Sequence, residues 1–259
     1  MRSLWLFLLG ASAVLLLASC QMESVVEIIV EEGGSGTVNV TVRLDAEAAQ
    51  KLGDPVTAVR LEDLAAAGWS VDAPKQLTEG PKQGGLSFVV RRKFGSPDEL
   101  ALVLAEIGGG PEQPNPVFSD VQLELSDGFA KTNYKFSSVI NLTGSLEQFS
   151  DADLTAVLGG LPLARTPEEL QAEGLRNPEA ATLSLRVRMP GKLDESTGRT
   201  EGNTAVWEFP MSGGTPSSTN MTSASTATQA APLRLLIAAI ALFVIAGIFG
   251  CVGFLRRRS

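Results

Sequence analysis

The fold class is decided by two neighbouring segments, Ser24-Val25-Val26-Glu27-Ile28-Ile29-Val30 and Thr37-Val38-Asn39-Val40-Thr41-Val42-Arg43-Leu44. In the second segment apolar and polar residues alternate strictly, which is the period of a β-strand with one buried face. The glycine-rich residues 33–36 between the segments predict a hairpin turn. They resemble a phosphate-binding loop only superficially, because no helix follows them. One polar face indicates an antiparallel sheet that is covered on a single side.

Helices and further strands follow this hairpin. Ser96-Pro97-Asp98-Glu99 has the residues of a capped helix start, and the apolar residues from Leu100 to Ile107 recur at helical spacing. Further strands are predicted at 86–94, 118–125, 130–142, 182–189 and 204–210, and further helices at 45–52, at 60–67 and from residues 150 and 166. We therefore predict an α+β domain, in which a twisted antiparallel β-sheet has helices packed on one face.

The first 19 residues have the features of an export signal. A short positive leader precedes an apolar run that is too short for a stable membrane span. The run ends in Leu17-Ala18-Ser19-Cys20, which resembles a bacterial lipobox. That resemblance implies that Cys20 receives a diacylglyceryl group and becomes the new N-terminus. An ordinary secretory signal with an incidental cysteine is the alternative.

The C-terminal region predicts a membrane anchor. Residues 235–255 contain no charge and no proline, and as a helix they would rise about 31 Å, close to the thickness of a bilayer core. Arg256, Arg257 and Arg258 mark the cytoplasmic side. We predict a signal peptide at 1–19, an exported domain at 20–211 and a flexible linker rich in Ser, Thr, Gly and Ala at 212–232. A transmembrane helix at 233–255 and a basic cytoplasmic tail at 256–259 complete the chain.

Composition excludes several classes of function. The chain has no histidine, so the commonest general base and zinc ligand are missing, and its two cysteines are Cys20 and Cys251. Of 21 basic residues, Arg2, Arg234 and the three terminal arginines lie outside the exported domain and linker, which leaves 16 against all 29 acidic residues. Such a surface repels nucleic acid and anionic headgroups. If the domain handles lipid, it does so through an apolar groove.

The large aromatic side chains are the best candidates for a ligand site. They are Trp69, Tyr134, Phe136, Trp207 and Phe209. These residues either line an apolar pocket or form the ordinary core, and the sequence leaves both interpretations open. Asp151 and Asp153 are interpreted as helix-capping carboxylates. We predict no catalytic residue, no cofactor and no metal ion.

The layout of signal, exported domain and single C-terminal span resembles the LppM-like lipoproteins of actinobacteria. Within the domain the resemblance depends on Gly84-Gly85 before a strand, on Phe94 followed by Asp98-Glu99-Leu100, and on Val206-Trp207-Glu208-Phe209 before Ser212-Gly213. The longer middle region, 144–177, departs from the family. The resemblance implies a protein without catalytic activity that binds membrane lipid or glycolipid in an apolar cavity at the cell envelope. The alternative is an adaptor module for a protein partner in envelope assembly or surface signalling.

Overall fold

The computed structural model describes residues 22–52, 64, 65, 67–80, 82–107, 116–143, 181–211 and 216–229. The signal peptide, Cys20, the transmembrane helix at 233–255 and the basic tail were all predicted outside these ranges. The helices predicted from residues 150 and 166 also lie outside them, and so do Asp151 and Asp153. Within the described ranges no helix is long and apolar enough to cross a membrane.

The described chain forms twelve strands and two helices. The strands are β1 Met22–Val30, β2 Gly36–Leu44, β3 Ser70–Val71, β4 Lys75–Gln76, β5 Leu86–Phe94, β6 Phe118–Asp127, β7 Lys131–Leu142, β8 Ala181–Arg188, β9 Lys192–Ser196, β10 Arg199–Glu201, β11 Thr204–Pro210 and β12 Ser217–Thr228. The helices are α1 Ala46–Leu52 and α2 Pro97–Ile107. Eight strands form a large sheet and four form a small sheet.

The first hairpin is confirmed. β1 and β2 pair antiparallel from Met22 opposite Leu44 to Val30 opposite Gly36. Glu31 closes the turn by donating its backbone N–H to the Ser35 carbonyl at 2.8 Å. Gly33 and Gly34 both have positive φ angles, of 93° and 85°, which glycine adopts without strain. The glycine-rich segment is therefore a turn between two strands, as its sequence context predicts.

The large sheet is not purely antiparallel. Its path runs β10-β11-β8-β1-β2-β5-β3, with β4 also paired to β5. β8 lies parallel to β1, with Met22 opposite Ala181 and Ile29 opposite Arg188. The remaining pairs in this sheet are antiparallel. A central parallel pair joins two antiparallel sets of strands, one from each half of the chain.

The small sheet has the order β6-β7-β12-β9. β12 pairs with β7 along its whole length, from Ser217 opposite Leu142 to Thr228 opposite Lys131, and β9 pairs with its other edge. β12 contributes the buried side chains Met221, Ser223, Ser225 and Ala227. The inner faces of both sheets enter one hydrophobic cluster, together with residues of α2.

Helix α2 forms as predicted. Glu99 accepts a hydrogen bond from the Gly95 backbone N–H at 2.7 Å, and its own N–H donates to Ser96 Oγ at 3.4 Å. Leu100, Val103 and Leu104 are fully buried. The helix packs on β5 and β6, so its apolar stripe helps to close one end of the core.

The predicted fold class is wrong. In the described part of the chain the strands form two sheets, one of which contains a parallel pair, and the second sheet packs on the core together with α2, so the domain is not one antiparallel sheet with helices on a single face. A strand with one apolar face needs a covering layer, but alternation does not say whether that layer is a helix or another sheet.

The linker prediction is wrong for residues 217–228, which form β12. The buried inner face combines Met221 with the small side chains of Ser223, Ser225 and Ala227. The outward-facing threonines suit a strand because of their branched Cβ. The folded part of the chain therefore continues past residue 211 to Gln229, whose backbone N–H donates to the Ala130 carbonyl at 2.8 Å.

Candidate ligand groove at the edge of the large sheet

The five predicted aromatic residues all belong to the core. Trp69, Tyr134, Phe136 and Trp207 are buried, and the half-buried Phe209 packs against the same cluster. Trp207 and Phe209 also line a surface groove. The sequence left open whether these aromatics form a pocket or the core, and two of them serve in both.

Trp69 and Tyr134 have polar partners away from the groove. The Trp69 indole N–H donates to Glu106 Oε2 at 3.1 Å, and Arg92 forms an ion pair with the same carboxylate. Arg92 also donates to the Ala67 carbonyl at 2.9 Å, so these contacts fasten the segment before β3 to α2 and β5. Burial raises the pKa of Tyr134, and hydrogen bonds from the Gly33 backbone and from Thr132 oppose that effect. These contacts stabilise the fold.

The groove lies where the edge of the large sheet is incomplete. β10 has three residues and pairs only with residues 204–206 of β11. In the described part of the chain, residues 207–210 therefore pair with β8 alone. The resulting groove is open to solvent and has a volume of about 250 Å³. It is lined by Gly198, Arg199, Val206, Trp207, Glu208 and Phe209.

The floor of the groove is a fixed aromatic surface. The Trp207 indole N–H donates to Thr197 Oγ1 at 3.1 Å, and the backbone N–H of Thr222 on β12 donates to the same oxygen at 3.0 Å. Thr197 therefore connects the small sheet to the edge of the large sheet. Trp207 is 6% exposed, so it presents only a narrow strip of its ring to a ligand. Phe209, two residues further along β11, supplies the more accessible apolar surface.

Gly198 is required by the close approach to this ring. A Cβ at this position would lie 2.5 Å from the Val206 carbonyl oxygen and 2.7 Å from atoms of the Trp207 indole. Contacts this short are not tolerated, so any larger residue would displace the chain that borders the groove. Glycine therefore allows the chain at the border of the groove to lie directly against the Trp207 ring.

The rim of the groove is polar. Arg199 donates to Glu208 Oε1 at 2.8 Å and lies 2.9 Å from Glu201 Oε1, while Arg186 binds the other oxygen of Glu201 at 2.7 Å. The side chains of Arg199 and Glu208 are each 61% exposed, so their ion pair contributes little to stability. The rim offers hydrogen-bond donors and acceptors side by side, an arrangement that suits hydroxyl groups.

The edge is poorly suited to binding another strand. Val206 pairs with Arg199 of β10, so the backbone N–H and C=O of Val206 point toward the outer edge of the sheet. The direction of these groups alternates along a strand, so the backbone groups of Glu208 and Pro210 point toward the same edge. Proline has no N–H to donate, and glutamate adds charge at the same edge. The groove therefore presents mainly side chains to a ligand.

Sequence reasoning missed half of this site. Trp207 and Phe209 were candidates because they are aromatic, whereas no site role was predicted for Thr197, Gly198 or Arg199, and β10 was not predicted. No local signal distinguishes the turn at Thr197 and Gly198 from others, because its role depends on the contact with β12. In the described part of the chain, no group of three His, Cys, Asp or Glu side chains could hold a metal ion.

Comparison with known proteins gives one structural likeness. No family model matches the chain. No curated protein matches it either. The chain is similar to the solved structure of the folded domain of LppM from Mycobacterium tuberculosis, with 13% sequence identity and a TM-score of 0.37. The match covers 83% of this chain and 94% of that one.

Proposed function

We propose that this protein is an extracytoplasmic lipoprotein that binds a lipid or glycolipid without catalysis, and that the groove at the edge of β11 is its binding site. The observation that carries the proposal is the combination of the apolar floor, Trp207 and Phe209, with the adjacent polar rim of Arg199 and Glu208. An amphipathic molecule has matching parts. Its apolar portion would lie along the aromatic floor, and its polar portion would meet the rim.

The rim favours a sugar or glycerol headgroup over an anionic one. Arg199 is already bound by two carboxylates, so the local charge is not positive. A hydroxyl group can accept from Arg199 and donate to Glu208, whereas an anionic headgroup gains no net attraction from two arginines that are balanced by two glutamates. The acidic composition of the exported residues supports the same choice.

The size of the groove limits what it can hold. Pockets that enclose a whole small ligand begin at about 300 Å³. The groove is smaller and open, so it holds the junction between headgroup and chain rather than a complete lipid. The rest of the ligand would stay in the membrane or in solvent. A site of this kind presents or senses a lipid at a membrane surface.

The proposed location follows from the sequence on both sides of the described domain. Cys20 as a lipidation site and the uncharged segment 235–255 would hold the domain at the outer surface of the membrane. An adaptor for an envelope protein is the alternative function. It is disfavoured because the edge of β11 carries Pro210, and the outer strand β6 is interrupted by a bulge near Asp120, which has a φ of 50°.

Lipid recovery from the purified protein tests this function. The full chain would be extracted in mild detergent, and its bound lipids would be identified and counted by mass spectrometry. We expect about one lipid or glycolipid per protein, with at least a fivefold loss in the Phe209→Asp variant because a carboxylate replaces the apolar floor. Leu102→Asp is the matched control, since Leu102 is an exposed apolar residue on α2 that does not line the groove. It should retain the lipid.

A second variant covers the case in which Phe209→Asp fails to fold. Glu208→Ala removes one exposed rim carboxylate and leaves the core unchanged, so it should fold normally and carry less glycolipid than the parent protein. If the parent protein carries no lipid, or if both groove variants carry as much as the parent protein, the assignment is wrong.

A further inference from the structure

An exposed phenylalanine occupies the turn between β6 and β7. Phe129 is 66% exposed, and Leu102 on α2 is the other large hydrophobic residue of the described chain with comparable exposure. The turn is closed by a hydrogen bond from the Gly128 N–H to the Lys131 carbonyl at 2.7 Å. Because Phe129 points away from the core, its exposure contributes nothing to the stability of the domain.

The described chain ends beside this turn. Thr228 pairs with Lys131, and the Gln229 backbone N–H donates to the Ala130 carbonyl at 2.8 Å. The Gln229 side chain also donates to Thr132 Oγ1 at 2.6 Å. Backbone and side chain therefore fix the direction in which the chain leaves the domain. The chain is therefore hydrogen-bonded to the small sheet up to Gln229, and no flexible linker lies between β12 and this point.

The uncharged apolar segment begins soon after the exit. Leu235 follows Gln229 by six residues, which span at most about 21 Å even when fully extended. With segment 235–255 in the bilayer, as the proposed location requires, the turn at residues 127–131 would lie within this distance of the membrane surface. A linker that began at residue 212 would have allowed a much greater separation.

We propose that the turn at residues 127–131 is a membrane-contact site and that Phe129 inserts into the interface of the lipid bilayer. This inference rests on the proposed membrane location. An aromatic ring is favoured at the boundary between headgroups and acyl chains. Lys131 can reach lipid phosphates beside it, whereas Asp127 is engaged by the Thr132 hydroxyl at 2.7 Å. A single inserted residue is sufficient because the anchored domain has a high effective concentration at the surface.

Depth-dependent fluorescence quenching tests the contact. The full-length Phe129→Trp protein would be reconstituted into phosphatidylcholine vesicles that contain brominated acyl chains. The parent protein provides the background from Trp69 and Trp207, the tryptophans that remain after the proposed cleavage before Cys20. Asn220→Trp is the matched control, because Asn220 is also exposed on β12 and lies eight residues, about 27 Å, from Thr228.

We expect quenching by brominated lipid of Phe129→Trp to exceed that of the parent protein at least twofold, with bromine near the headgroups more effective than bromine near the chain ends. Asn220→Trp should show only the background quenching. If the protein floats with the vesicles but Phe129→Trp is quenched no more than Asn220→Trp, the contact is refuted while the membrane location stands. If the protein does not float with the vesicles, both the location and the contact are refuted.

Discussion

Replacing Met221 by alanine tests the assignment of β12 to the folded core. Met221 is fully buried in the shared hydrophobic cluster, opposite Ser138 on β7. The substitution removes three heavy atoms from the side chain. At about 0.8 kcal/mol for each buried group, the lost transfer free energy is about 2.4 kcal/mol. Incomplete collapse of the cavity adds about 1 kcal/mol, so we expect a destabilisation of about 3 to 4 kcal/mol.

Urea unfolding, followed by the fluorescence of the buried Trp69 and Trp207, measures this change. In a domain of this size the same loss lowers the melting temperature by roughly 10 °C. Asn220→Ala, one residue away on an exposed position, should change stability by about 0.5 kcal/mol or less. If Met221→Ala is as stable as Asn220→Ala, residues 217–228 do not belong to the core and the account of β12 is refuted.

Three further predictions concern single side chains. Ser223 has a buried hydroxyl without a hydrogen-bond partner, so Ser223→Ala should raise the free energy of unfolding by about 1 kcal/mol. The Ser225 hydroxyl donates to the Pro190 carbonyl at 2.9 Å, so Ser225→Ala should lower the free energy of unfolding by about 1 kcal/mol. Equal effects in urea unfolding would contradict this. Tyr134 is the only tyrosine, and burial raises its pKa above 10.0, so its ultraviolet titration should have a midpoint above that of free tyrosine. The stabilisation of the folded state by neutral Tyr134 is therefore complete below the ordinary tyrosine pKa and is lost as the pH rises through the pKa of the folded state. A titration midpoint at or below that of free tyrosine would contradict this prediction. Gly198→Ala should destabilise the domain by about 1 to 3 kcal/mol and reduce lipid recovery, because its methyl group would collide with Trp207; unchanged stability and binding would show that the groove has room for it.

The sequence allowed prediction of the elements whose causes are local. The alternation in residues 37–44 and the glycine turn before it specify the β1–β2 hairpin without help from the rest of the chain. The capping residues from Ser96 to Glu99 similarly specify the start of α2. In each case the hydrogen-bond partners are within a few residues, so the pattern contains the necessary information.

The larger arrangement could not be predicted because its causes are distant in the chain. The parallel pairing of β1 with β8 joins residues about 160 positions apart. The sequence of either strand contains no signal that specifies which other strand it pairs with. β12 was mistaken for a linker because Met221 is its only large apolar residue. The other buried side chains of its inner face, Ser223, Ser225 and Ala227, are small, and their packing becomes visible only when β7 and β9 are in place.

The candidate groove also combines features that the sequence indicates locally with features that depend on distant parts of the chain. Aromatic character singled out five residues, of which Trp207 and Phe209 line the groove. The groove itself exists because β10 ends early and because Thr197 reaches β12, and these are facts about pairing between distant segments. Composition alone therefore could not separate the residues of the floor from the rest of the core, and the rim also required the structure.

Photocrosslinking with a lipid is the most direct test of the proposed binding site. The full chain in a membrane would be labelled with a glycolipid that carries a photoreactive group at the junction of its headgroup and chain, and the modified peptides would be mapped by mass spectrometry. The account predicts that crosslinks concentrate at residues 198–209 and that excess unlabelled glycolipid suppresses them. Crosslinks spread evenly over the domain, or concentrated on another surface, would contradict it.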